Sequence, residues 1–133
     1  MIKNSISLAG SLLVLAILSF TGIFADYSLS HPFWQSKATL VGGAIGIVLT
    51  LILFWVFNRW QSVSSMFSML AGIMFVASIF TTWYFARVFI DSAVFEPLAG
   101  KIWFFGFHVL VALFVPVVAL IIRKFMPASN ANK

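Results

Sequence analysis

Two ionisable side chains, Arg87 and His108, fall inside otherwise apolar stretches of this chain. Charge is costly in hydrocarbon, so an ionisable residue in such a stretch is a functional candidate by default. Arg87 has the planar fork that binds a carboxylate or other anion through two parallel hydrogen bonds. It also has a structural account. Asp91 lies four residues on, one helical turn away, which makes a local ion pair easy, and a long Arg side chain can snorkel to the headgroups. His108 could relay protons. Its structural alternative is a neutral imidazole hydrogen-bonded across helices, to Tyr84, Thr82 or a loop acid. His108, Arg87 and Asp91 thus form the candidate intramembrane polar site.

Other chemistry finds little support. The chain has no cysteine, which removes disulfides, thiolate metal sites and thiol nucleophiles. A bis-histidine haem needs two facing imidazoles, and His31 precedes its apolar stretch in a connection, so neither a haem nor a metal is expected. Asp91 and Glu96 are five apart beside Pro97 and Gly100, a spacing that fixes no acid–base geometry. Phosphate-cradling glycine patterns and nucleophile elbows are missing. No catalytic residue, cofactor or metal ligand is assigned, and an enzyme has little support.

The elements that must position these residues follow from composition. Of 133 residues, 62% are hydrophobic and only 8% charged, and the mean hydropathy is +1.11. Soluble domains carry about a quarter charged residues. The eight Lys and Arg are scattered, which excludes a basic groove for nucleic acid despite the net charge of +5. Four apolar stretches, at about 6–24, 38–57, 66–90 and 102–122, reach the roughly 20 residues a membrane-crossing helix needs. Alternating segments of the kind that build a membrane β-barrel are not seen. The first stretch resembles a signal peptide in having Lys3 before it and Ala25 after it. It is too long for a signal core, however, and Ile23 is a poor residue two before Ala25, so retention is expected. The reading is an all-α integral membrane protein of one domain, residues 1–133, with four transmembrane helices. Short connections make sequential neighbours antiparallel in a bundle.

Charge sets the expected orientation. Both termini and the middle connection share one side, which holds Lys3, Arg59, Arg123, Lys124 and Lys133. The other side holds Lys37, Arg87 and Lys101 with all three acids. The positive-inside rule then places both termini in the cytoplasm, in a multi-pass inner-membrane protein. Tyr27, Trp34, Tyr84 and Trp103 fall near the outer interface and Trp55 and Trp60 near the inner one, while Trp83 is expected to pack inside.

Small residues mark where membrane helices approach closely. Gly42 and Gly46 form a GxxxG pattern, which serves either packing within the chain or homodimerisation. The third stretch carries a small face of Ser68, Ala71, Gly72, Phe75, Ser78, Thr82 and Ala86. The fourth carries His108, Ala112, Pro116 and Ala119, with a kink expected at Pro116. Ser7, Ser11, Ser19 and Gly22 complete the set, and the many Phe and Leu are expected to face outward. Functionally, the expected role is a small non-catalytic accessory or structural subunit of a larger inner-membrane complex, with the bilayer and larger membrane subunits as partners and no nucleic acid. The alternative is a small homo-oligomeric transporter or channel with an outer-half His/Arg site.

Overall fold

A computed structural model describes residues 2–126. It holds four helices long and apolar enough to cross a membrane: α1 (Ile2–Phe20), α3 (Pro32–Arg59), α4 (Ser64–Asp91) and α5 (Pro97–Phe125), with a short α2 (Ile23–Asp26) after α1 and a 3-10 turn (Gln61–Val63) before α4. At about 1.5 Å per residue, the 28 residues of α3 reach about 42 Å, more than a hydrocarbon core of about 30 Å requires.

The termini of the helices explain where the apolar stretches and the helices part company. The first stretch is not one helix. Gly22 takes a left-handed backbone, φ 76°, and interrupts the chain between α1 and α2. Glycine adopts that conformation at little cost. α3 starts at Pro32, six residues before the apolar run at Ala38. His31 caps it by accepting a hydrogen bond from the Phe33 N–H at Nδ1, 3.2 Å, and Pro32 has no amide N–H to leave unpaired. Pro97 opens α5 in the same way.

α5 is the hub. It packs against α1, α3 and α4, whereas α4 has α5 as its one substantial helix neighbour. Against α3 the contacts advance in step. A Cβ at Gly42 would stand 2.8 Å from Val111 Cβ and 2.9 Å from the His108 carbonyl, and one at Gly46 would stand 2.8 Å from Val115 Cβ and 2.9 Å from the Ala112 carbonyl. Against α4 the order reverses, with Gly100 beside Phe89, Gly106 beside Thr82 and Phe114 beside Phe75.

Pro116 is buried within α5, and the helix continues through it to Phe125. It has no N–H to give to the Ala112 carbonyl. That same carbonyl lies against Gly46, so the group deprived of its helical partner meets a bare Cα, a geometry suited to a weak Cα–H···O contact. The GxxxG face is therefore occupied by α5 of the same chain and is not free to pair two copies.

The small faces of the other helices turn inward in large part. Ser7, Ser11, Ala71, Thr82, Ala86, Ala112 and Ala119 are buried. Two expectations change. Gly72 has no other group within 4 Å of where a Cβ would stand, so it makes no close helix contact. The bulky residues do not all face outward either: Trp103, Phe107, Leu110 and Phe114 of α5 lie inside with Leu15 and Phe24. A helix with three helical neighbours has too little free surface to turn every large side chain out. Leu13, Phe20, Leu40, Phe80 and Phe105 do point outward.

Opposite effects are expected at two glycines. Gly46→Ala drives a methyl into Val115 and a backbone oxygen, and should cost about 1–3 kcal/mol. Gly72→Ala meets open space and should gain about 0.5–1 kcal/mol from helix propensity. Unfolding titrations of the purified protein in mixed micelles read both signs.

Candidate functional site

The three residues of the candidate polar site do not converge. Arg87 is exposed on α4, with its guanidinium carbon 5.9 Å from the centre of the Trp83 ring. Among the described residues no Lys, Arg or His nitrogen lies within 4.0 Å of an Asp or Glu oxygen, so the Arg87–Asp91 pair is not formed. The cation is placed over an aromatic face instead, and Trp83 is correspondingly exposed, not packed inside.

His108 is half-buried on α5 and bonds within its own helix. Its Nδ1 lies 2.8 Å from the Phe104 carbonyl one turn back. A carbonyl can only accept, so Nδ1 carries the proton and donates it. The Phe104 ring, 4.6 Å away centre to centre, covers one side of the imidazole. Neither Tyr84 nor Thr82 partners it. Thr82 sits in the seam between α4 and α5, where its Oγ1 lies against Gly106 and has no hydrogen-bond partner among the described residues.

The end of the helices that carries the α4–α5 connection is instead organised by aromatic rings. Trp34 lies 5.5 Å from Trp103 and 5.2 Å from Phe104, in T-shaped geometry, and Phe89 lies 5.8 Å from Trp103. Trp103 Nε1 donates to the Leu29 carbonyl at 3.0 Å across 74 residues of sequence. The start of α3, the end of α4 and the start of α5 meet here around a pocket of about 500 Å³. His31 and Lys101 stand among its lining residues, but no acid does. Edge-to-face pairs of this kind each add about 0.5–1.5 kcal/mol beyond area burial. The arrangement is suited to holding apolar surface and offers no acid–base pair.

A buried polar network beside this cluster escapes a reading by hydrophobic runs. Gln35, near the start of α3, accepts from Ser30 Oγ at 2.7 Å and donates to the Ser19 carbonyl at 2.9 Å. Ser19 Oγ in turn donates to Thr39 Oγ1 at 3.2 Å. The network ties α1 and the α2 connection to α3. The only sequence signal for it is a Gln two turns before Gly42, at a position that becomes inward-facing once the helix is known to begin at Pro32.

The Ser7, Ser11 and Thr50 hydroxyls are spent locally. Ser7 donates to the Lys3 carbonyl, Ser11 to Leu8 and Thr50 to Gly46. At the α3–α4 turn a larger cavity, about 770 Å³, opens between the end of α3, the start of α4 and the end of α5. Arg123 and Lys124 line it. Among the described residues no group of three or more His, Asp or Glu is placed to hold a metal ion.

Gln35→Leu should leave the Ser19 carbonyl and the Ser30 hydroxyl without this partner and cost about 1–3 kcal/mol. Arg87→Gln, on an exposed face, should change stability by less than about 0.5 kcal/mol. The same micellar unfolding titration separates the two. Comparison with protein-family models, with curated proteins and with solved structures finds no match to this chain.

Proposed function

We propose that this chain is a small non-catalytic accessory or structural subunit of a larger inner-membrane protein complex. In this reading the four long helices cross the bilayer as a bundle, sequential neighbours are antiparallel, and both termini face the cytoplasm. The observation that carries it is the sealed interior. Phe107, Leu110, Val111 and Val115 fill the centre, and the buried Ser7, Ser11 and Thr50 hydroxyls point back to their own helices. A conducting path needs polar lining through its full depth. The core cluster here is built of apolar side chains.

α4 supports the same reading. Apart from its seam with α5 it presents Met66, Met69, Ile73, Met74, Val76 and Phe80 outward. Met side chains adapt their shape to a packing partner. The homo-oligomeric transporter loses both of its motives, because Gly42 and Gly46 are covered by α5 and His108 and Arg87 do not share a vestibule.

The test is mild-detergent extraction from the native membrane through a small C-terminal tag, with a photo-crosslinking residue at Val76. Larger membrane proteins are expected in fixed ratio, with cross-links from position 76 to one of them. Quantitative recovery of the chain alone, with position 76 cross-linked to lipid only, would refute the accessory role.

A further inference from the structure

The cavity at the α3–α4 turn has a composition unlike the rest of the molecule. One part is polar and basic: Asn58, Gln61, Ser64, Arg123 and Lys124 line it. The other is apolar, lined by Gly72, Val117 and Leu120. Its shape follows from the packing. α4 leans on α5 and reaches α3 through the 3-10 turn, so a groove is left between α3 and α4 with α5 as its floor. Gly72 keeps it open, since apart from its chain neighbours and its own helix backbone no atom comes within 4 Å of the place of its missing Cβ.

Arg123 gives the groove its chemistry. Its guanidinium carbon is 5.3 Å from the centre of the Phe54 ring, so one face of the fork is fixed against an aromatic side chain. Its Nη1 is buried and has no hydrogen-bond partner among the described residues. A buried guanidinium N–H without an acceptor is unfavourable, and the acceptor geometry it fits best is a carboxylate or phosphate oxygen pair. The protein's Asp and Glu residues are remote. Asp26, Asp91 and Glu96 belong to α2, the end of α4 and the residue before α5, at the opposite end of the helices. Lys124 adds a second cation beside the first, and α4 begins at the groove without a side-chain cap on its first turn.

We infer that this groove binds an anionic phospholipid, with the phosphate held by Arg123 and Lys124 and an acyl chain lying along Gly72, Val117 and Leu120. The two halves of the cavity select this class of ligand together. The cations require an anion, and the apolar half, bordered by the outward faces of membrane-length helices, requires a hydrocarbon tail. An acidic headgroup at a basic juxtamembrane site also matches the expected cytoplasmic placement of this end. The inference does not depend on the chain having protein partners.

The test is native mass spectrometry of the full chain released from nanodiscs of mixed phosphatidylcholine and phosphatidylglycerol. The wild type should retain phosphatidylglycerol in preference to phosphatidylcholine. Arg123→Gln should lower that preference about tenfold, the loss of one charge-assisted hydrogen bond. Gly72→Leu, which fills the apolar half and leaves the charges alone, should lower retention of both lipids. Lys37→Gln, a charge removal at the other end, should change nothing. Helix content by circular dichroism shows that each variant folds. Equal retention of the two lipids by the wild type, or an unchanged preference in Arg123→Gln, would overturn the site. Displacement of phosphatidylglycerol by millimolar inorganic phosphate would overturn the lipid assignment and leave a site for free phosphate.

Discussion

The close approach of α3 and α5 is the constraint on which the rest of the molecule depends. In hydrocarbon no solvent drives apolar helices together, so their association rests on contact distance and on backbone groups that find partners. Here Gly42 and Gly46 let α3 sit where a single methyl group would meet Val111 or Val115 at 2.8 Å. Pro116 adds to the same seam. It leaves the Ala112 carbonyl short of its helical donor at the point where Gly46 offers a bare Cα. A position that would weaken α5 alone is thereby placed where α3 covers it.

From that seam the other features follow. With α3 on one side and α1 on another, α5 has a third face left, and α4 takes it with Thr82 against Gly106 and Phe89 against Gly100. α4 has no comparable seam with α3. The two are tied at one end by the 3-10 turn, while at the other the aromatic cluster joins both to α5. Between those ties the helices stand apart, which is why a groove of about 770 Å³ exists in a chain of only 133 residues. The cations at the end of α5 and the apolar wall at Gly72 are brought into one cavity by this asymmetry.

Much of the helical architecture was legible because hydrocarbon imposes length and polarity so strictly. Four apolar stretches became four long helices, and the spacing of Gly42 and Gly46 marked the close seam of α3 with α5. The inward small faces of α1 and α4 were legible for the same reason. What escaped was set by local backbone and by tertiary contact. The apolar run through residue 24 concealed the left-handed turn at Gly22. Gln35 lay outside the expected span, so its buried hydrogen bonds had no place in the pattern. Arg87 was matched to Asp91 by spacing, but the structure places it over Trp83, a competing partner on the same helix face. His108 shared a face with small residues, and its hydrogen bond went to Phe104 on its own helix. Arg123 counted in sequence only toward the charge bias, because nothing there shows that α3 and α4 stand apart around it.

α5 is the hub, and α4 is held to the other helices through it. A chain without cysteine allows a direct test, since two introduced cysteines meet no other thiol of the same chain. A Cβ at Gly106 would stand 3.6 Å from Thr82 Cβ, within the range a disulfide spans. Thr82→Cys with Gly106→Cys should therefore form an intramolecular disulfide under mild oxidation in native membranes. Free thiols after oxidation, or cross-linked dimers in place of a bridged monomer, would contradict the arrangement of α4 on α5.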